Sequence, residues 1–282
     1  ILKQIFDINN KYKLNIYEGD SLKASYHDIF KINKFDIIVG NPPYQAGTNN
    51  KGSGNTLWNL FVESSLNIWL KRGGYLLFVH PKGWRQIFNT IGKLMLSKQI
   101  VYLDMNDVNV GKKTFSCMTD YDYYLIKNIR AHTTTQIKDY KNIISTCKLD
   151  KDRRFIPNHS FDEVYNLMSE EINTMFINDQ SNYEPRRKWM SKEKTDIYKY
   201  PCIYSINTKN EPSLVWSSVN DRGHFGICKF VFSNGMGYIK DDTGMYGLTQ
   251  WGYAIVCDKD ELDDVEKAYN SDKFKNICDA IR

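Results

Sequence analysis

No apolar run in this 282-residue chain approaches the roughly 20 residues a membrane-spanning helix needs, and no secretory leader is visible. Its six cysteines (Cys117, Cys147, Cys202, Cys228, Cys257, Cys278) contain no Cys-x-x-Cys pair. That argues against a structural zinc or a disulfide scaffold and suits free thiols in a reducing cytoplasm. The five histidines (His27, His80, His132, His159, His224) show no ligand spacing, so no metal is expected. What remains is ordinary for a globular chain, 41% hydrophobic and 25% charged, with length for one large or two ordinary domains. A net charge of +5 permits nucleic-acid binding without demanding it.

Against that plain background one stretch stands out, Asp36-Ile37-Ile38-Val39-Gly40-Asn41-Pro42-Pro43-Tyr44. Phe35 to Val39 reads as a short buried strand that stops on a glycine and delivers Asn-Pro-Pro-Tyr into a loop. Two prolines remove backbone donors and fix φ, so the turn is stiff and cannot continue the strand. The carboxyl end of a strand is where α/β sheets bind ligands. The side-chain oxygen of Asn41 and a nearby backbone carbonyl can accept both hydrogens of a planar amino group, and the Tyr44 ring offers a face for a flat base.

At these residues the chain resembles the S-adenosylmethionine-dependent amino-methyltransferases, above all the DNA methyltransferases that modify N6 of adenine, whose Asn-Pro-Pro-Tyr motif it carries in full. The resemblance implies that Asn41 and the Pro42 carbonyl accept from the exocyclic amine and aim its lone pair at the methyl sulfonium, with Pro43 stiffening the turn. Transfer is then direct, so no catalytic cysteine is expected. Tyr44 would stack on an adenine flipped out of double-stranded DNA. Upstream, Leu14 to Leu22 reads as another short strand ending in Gly19-Asp20. The resemblance puts Asp20 and Gly40 on the cofactor side, Asp20 bonding the adenine amino group of S-adenosylmethionine.

Downstream, Thr56 to Leu70 has apolar residues at helical spacing, and Lys71-Arg72-Gly73-Gly74 reads as its end. Trp58, Phe61 and Trp69 are taken as core residues of that helix. Tyr75 to Pro81 is a fully buried strand, and Val101–Asp104 and Tyr121–Ile126 are the sheet's last strands. The family has a second aromatic that sandwiches the flipped base; Phe115 and Tyr123 are both candidates, with Lys112 and Lys113 near a phosphate.

From Lys148 the sequence changes character, and the expected division is a partial methyltransferase domain over 1–149 and a DNA target-recognition domain over 150–282. A helix over Phe161–Phe176 precedes Arg186-Arg187-Lys188-Trp189, Lys192, Lys194 and Lys199, a basic run with an interleaved Trp that suits a phosphate backbone. Short β-rich pieces between Tyr200 and Val256 and a closing helix over Lys259–Arg282 resemble the target-recognition regions of large restriction-modification methyltransferases. Arg222, His224, Lys229 and Asn234 are the candidate DNA contacts there. A restriction endonuclease domain or subunit is the partner this resemblance implies.

In the gamma-type order that the chain follows, a Gly-rich cofactor loop and an acidic ribose-binding residue precede the catalytic motif. Ile1 to Gly40 contains no such loop, and Ile1 to Lys11 reads as a helix. The late cluster Phe232 to Tyr238 is no substitute, because a turn rather than a helix follows it. The expected fold is therefore α/β, an incomplete Rossmann-like methyltransferase sheet followed by an α+β target-recognition domain, in a piece of a longer enzyme. Two other readings share the motif: methylation of a protein glutamine or a ribosomal RNA guanine, and a DNA-recognition module without catalysis. The missing loop leads to a prediction: the isolated chain binds S-adenosylmethionine weakly or not at all, and micromolar binding by calorimetry would refute it.

Overall fold

In a computed structural model of the chain, the described residues are 11, 15–45, 56–86, 89–149, 152, 155–167, 176–178, 182–233 and 237–281. They form two compact units, Ile1–Tyr165 with Asp279–Arg282, and Asn166–Cys278. Among the described residues no helix is long and apolar enough to cross a membrane.

The first unit is a mixed α/β layer. After a short helix α1 (Tyr26–Phe30), β1 (Phe35–Gly40) enters the sheet. Helix α2 (Trp58–Ser64), continued by a π turn over Ser65–Trp69, leads to β2 (Leu70–Pro81). Then follow α3 (Thr90–Leu96), β3 (Lys98–Asn106), α4 (Val108–Phe115), β4 (Tyr121–Arg130), β5 (Thr135–Lys138) and β6 (Ile144–Cys147). The six strands lie in the order β1-β2-β4-β3-β5-β6. The β1–β2 and β3–β5 pairs are parallel, and β4 runs antiparallel between β2 and β3. One face alternates inward with Leu76, Phe78, Tyr124, Ile126, Ile100, Leu103 and Met105, covered by Val62, Leu66 and Met95 of the helices.

Two expectations need correction. Lys71 to Gly74 does not end a helix; the strand already begins at Leu70, and the glycine pair forms a bulge where Phe35 pairs with Leu70 but Ile37 with Tyr75. Gly73 sits at φ +82, and a Cβ on Gly74 would meet the Asp36 carbonyl at 2.7 Å, so the bulge needs glycine in both places. Asn15 to Asp20 is exposed and pairs with no strand among the described residues. A strand that buries neither face has nothing to hold it. Ile1 to Asn10 lies outside the described residues.

The second unit stacks two four-stranded sheets. One has the order β13-β9-β10-β8, from β8 (Met190–Ser191), β9 (Tyr200–Ile206), β10 (Pro212–Ser217) and β13 (Gly247–Leu248). The other has the order β12-β11-β14-β7, from β7 (Phe176–Ile177), β11 (Lys229–Ser233), β12 (Tyr238–Asp241) and β14 (Gly252–Val256). Ile203, Ile206, Val231, Leu248 and Ala254 fill the space between them. β11 and β12 pair antiparallel with Phe232 opposite Tyr238, so β12 stands where a turn was expected, and 234–236 lie outside the described residues. Helix α5 (Phe161–Leu167) opens the segment before this unit, shorter than the expected helix, whose continuation over 168–175 lies outside the described residues. The closing helix divides into α6 (Leu262–Asn270) and α7 (Asp272–Ile281). Ser271 is extended at φ −65 and ψ 146, and its hydroxyl accepts the Phe274 N–H at 3.2 Å, so a serine cap starts a second helix.

The second unit's corner is held by an ion pair from which water is excluded. Lys229 Nζ lies 2.6 Å from Asp241 Oδ2, the two side chains 0% and 1% exposed. The ammonium also donates to the His224 and Ile227 carbonyls at 2.7 and 3.2 Å. Asp241 in turn accepts the Met245 and Tyr246 N–H groups at 2.7 and 3.0 Å. Removing one partner strands a buried charge, so Asp241→Ala should cost about 3–5 kcal/mol of this unit's stability. Urea unfolding followed by tryptophan fluorescence checks this, and a loss below about 1 kcal/mol would show the pair to be dispensable.

Candidate active site

The parallel strands β1, β2 and β3 end on the same rim as β4 begins, and the Asn41–Tyr44 loop stands there. A Cβ on Gly40 would meet the Phe78 ring at 3.1 Å, so the glycine lets β1 lie close on β2 before the loop departs. Pro42 is buried, Asn41 and Pro43 are exposed, and Tyr44 is half-buried. Gln45 bridges Thr56 in antiparallel fashion, and the Leu57 N–H donates to the Tyr44 carbonyl at 3.2 Å. These contacts tie the two ends of segment 46–55 together at the start of α2.

On one side of the loop lies a cleft of about 490 Å³, lined by Ile37 to Pro43 with Ser21, Tyr26, Phe35, Phe61, Trp69 and Phe78. Ile37 and Val39 reach it, 63% and 67% exposed, while Ile38 packs on the core. Its aromatic walls brace one another edge-on: Tyr26 meets Trp69 at 5.4 Å and Phe35 at 5.3 Å, and Phe61 meets Trp69 at 6.2 Å. Of the three aromatics expected as core, Trp58 is buried, Phe61 packs on the edge of the core and also lines the cleft, and Trp69 is a half-buried wall residue. Helical spacing shows that a face is apolar, not whether a sheet or a cavity meets it. Asp20 is exposed beside Ser21, its carboxylate accepting the Leu22 N–H at 3.0 Å and pairing with Lys23 at 3.3 Å. A flat ring with a polar edge fits such a slot, by its aromatic walls and the polar groups at its mouth.

Tyr44 is half-buried against the sheet's core, and burial foremost raises its pKa, with Cys117 and Tyr121 near enough to add to the rise. Its hydroxyl is enclosed with no hydrogen-bond partner in the structure. Tyr121 meets the Phe115 ring edge-on at 4.9 Å, and its hydroxyl lies 3.3 Å from Thr114 Oγ1. The structure thus joins Phe115 to Tyr121, in the neighbourhood of Tyr44, and Tyr121 was missed in the sequence because strand periodicity alone accounts for it. Tyr123 belongs to a different set: it packs on Tyr102 at 5.9 Å, and burial together with a hydrogen bond to Asp104 raises its pKa. Lys112 and Lys113 are exposed in the last turn of α4.

Behind the loop a buried polar ladder braces the rim. Trp58 stacks on His80 at 4.2 Å. His80 Nδ1 lies 3.0 Å from the Pro81 carbonyl, which can only accept, so Nδ1 carries the hydrogen and Nε2 accepts from the Tyr124 hydroxyl at 2.8 Å. Burial lowers the His80 pKa to about 4, keeping the ring neutral. Next along, the Trp84 indole donates to Asp122 at 2.8 Å and Arg85 Nε lies 3.0 Å from the same carboxylate. Burial pushes Asp122 up to about 6 against the pull of Arg85 and Trp84, so it is ionised at neutral pH.

The second unit places the remaining candidates unevenly. Arg186, Arg187, Lys188 and Arg222 are exposed. Lys229 is the buried strut described above, and its ammonium faces no solvent. His224 is also buried, at φ 74, its Nδ1 accepting the Leu248 N–H at 3.2 Å. Both serve the fold here: a Lys and a His beside glycines read as surface until the Asp241 partner is seen. Asn234 lies outside the described residues.

Residues 2–115 match the model of the Eco57I restriction-modification methylase family. No curated protein matches the chain. Among solved structures the chain is similar to the type IIL restriction-modification enzyme MmeI, solved in complex with DNA: TM-score 0.52, 10% identity, covering 89% of this chain and 45% of that one. The EcoKI M protein of a type I restriction enzyme aligns at TM-score 0.32 and 16% identity over 43% of this chain and 28% of that one, too low to add to the argument. The chain spans less than half the length of either solved chain. The MmeI likeness shows a shared fold, and the family match supports a methyltransferase of the restriction-modification type.

The His80 assignment has a signed consequence. A histidine held near 4 in the fold but near 6.5 when unfolded removes stability as pH falls from about 6.5 to 4. His80→Gln should therefore lose less stability over that window than the parent does, Asp122 contributing equally to both. Parallel pH profiles in urea unfolding would contradict the neutral, buried ring.

Proposed function

We propose that this chain carries the methyl-transfer site of a DNA methyltransferase acting on N6 of a flipped adenine, with S-adenosylmethionine as the donor. The observation that carries the reading is the position of Asn41-Pro42-Pro43-Tyr44. Asn41 to Pro43 line the aromatic cleft, and Tyr44 follows them directly, half-buried with Tyr121 nearby. The Eco57I family match over 2–115 and the DNA-bound state of MmeI support it.

The cleft would hold the adenosine part of the donor, between Phe61, Trp69 and the Gly40–Pro43 backbone, with Ser21 and Asp20 at its mouth. When bound, that group supplies an electrophilic methyl. The chain's own residues act on the nucleophile. The Asn41 amide oxygen and the Pro42 carbonyl accept the two amine hydrogens, which draws the nitrogen lone pair out of the ring's conjugation. Both acceptors are neutral and held by a proline-stiffened turn, so little reorganisation is needed as charge develops. Tyr44 and Phe115 would hold the base by its faces, Phe115 being favoured over Tyr123 because it packs on Tyr121, near Tyr44, whereas Tyr123 packs on Tyr102. The restriction-modification match makes an endonuclease domain or subunit the expected companion.

Two measurements test this. Tritiated methyl transfer to mixed-sequence duplex DNA, by the full product of the native locus, should label adenine N6 and fall by about 10²–10³ or more on Asn41→Ala, the scale of losing one preorganised polar contact. No transfer by the parent enzyme would refute the reading. Phe115→Ala should weaken capture of a flipped 2-aminopurine; unchanged fluorescence would remove Phe115 from the base pocket.

A further inference from the structure

We infer that Met118 is a wedge that enters the base stack of duplex DNA at the place the extruded adenine vacates. The inference deepens the proposed reaction and rests on reading an adenine in duplex DNA as the substrate. Among the described residues Met118 is the most exposed large apolar side chain, at 72%. One exposed methionine is ordinary by itself. Here the backbone that presents it is fixed, and the place is the rim of the site.

The turn is built outward from α4. Ser116 ends that helix in the left-handed conformation, φ 57 and ψ 23, its N–H donating to the Lys112 carbonyl at 3.0 Å. The chain thereby reverses and returns along the helix it has just left. Gly111 makes room for the return: a Cβ there would stand 1.8 Å from the Thr119 carbonyl oxygen. The Thr119 N–H donates to the Cys117 carbonyl at 3.0 Å, closing a three-residue turn with Met118 at its apex. Asp120 then pairs with Lys82, from the turn after β2, before β4 begins at Tyr121. A turn tied down on both sides has little backbone freedom left to lose when something meets its apex.

Both flanks of the turn belong to the candidate base pocket. Phe115 precedes it and packs edge-on against Tyr121 at 4.9 Å. Cys117, next to Met118, and Tyr121 both lie near enough to Tyr44 to bear on its pKa. The apolar tip therefore stands beside the rings assigned to hold the adenine. Drawing a base out of the duplex costs its pairing and stacking, and leaves a gap between two flat faces. An apolar side chain inserted there regains contact with those faces and offsets part of that cost. Methionine suits the task, being unbranched and polarizable against aromatic faces.

The test compares single-turnover methyl transfer, by the full product of the native locus, on two duplexes carrying the sequence it modifies. In one the target adenine is paired with thymine; in the other it faces an abasic gap, so less has to be broken to extrude it. Met118→Ala should slow transfer roughly tenfold on the paired duplex and less than about twofold on the gapped one. Met118→Leu should restore the paired rate. Ile144→Ala, which removes an exposed apolar group from β6 at the far edge of the same sheet, should match the parent on both. An unchanged paired rate in Met118→Ala overturns the proposal. So does an equal loss on both duplexes, the mark of a residue that only shapes the pocket, or an equal loss from Ile144→Ala. Any of these with transfer by the parent intact retires the wedge alone. A parent that labels no adenine in mixed-sequence duplex, the step by which its sequence is found, retires the enzymatic reading and the wedge with it.

Discussion

The rim that carries the Asn41 loop depends on one guanidinium. Arg85 leaves the turn after β2 and reaches Asp122 at the start of β4, the Met105 sulfur near the end of β3, the Asn158 side chain and the Tyr140 hydroxyl, all at 3.0 Å. Arginine is the residue able to do this, because its donors point in several fixed directions and stay charged. Both partners of the Arg85–Asp122 pair are almost wholly enclosed, 4% and 0% exposed, so the desolvation cost is large. It is offset by the close opposite charge and by the three hydrogen bonds that Nη1 and Nη2 donate, although Nε faces Asp122 without a hydrogen bond of its own. The result is specificity of arrangement: three strand ends and the segment beyond β6 have one relative placement in which the charge is satisfied.

The Asn41 loop inherits that rigidity through a chain of contacts. Asp122 holds Trp84, Tyr124 two residues on holds His80, and His80 carries the Trp58 ring that opens α2. Trp58 follows directly on Leu57, whose N–H closes back on Tyr44. Acceptors that must meet both hydrogens of one amine need placement within a few tenths of an ångström. Pro42 and Pro43 stiffen the turn locally, while the ladder fixes where the turn stands.

How much of this was legible follows from how local each cause is. Asn-Pro-Pro-Tyr after a buried strand is a local signal, and so are the long apolar strands β2, β3 and β4, because burial on at least one face writes itself into composition. In the second unit β9, β10, β11, β13 and β14 fall in the β-rich stretch expected between Tyr200 and Val256, whereas β12 stands where a turn was expected and the two-residue strands β7 and β8 left no signal. What failed was non-local. Asn15–Asp20 alternates like a strand, but strands exist in pairs and no neighbour is there among the described residues. Phe61 and Trp69 look like core because helical spacing does not say what lies opposite. The helix at the chain's end breaks at Ser271 since a serine hydroxyl competes for the backbone there, an outcome that pattern alone leaves even.

The basic residues of the second unit make the same point more sharply. Lys229 and Lys194 are one residue type with opposite fates, and charge counting treats them alike. Lys229 opens a strand whose residues are nearly all buried, so its stem is drawn inside and its ammonium has to find Asp241. Burial lowers its pKa while Asp241 opposes that fall, a balance that holds only with the partner in place. Once spent there, the charge fixes a loop, since the His224 and Ile227 carbonyls are gathered round it. Lys194 lies in an exposed connection and meets only the face of Trp216, which orders the side chain without neutralising it. A buried cation thus organises protein, and a ring-laid one remains available to something outside it. The basic residues of the second unit therefore divide by burial, and only the exposed ones contribute to the field outside the protein.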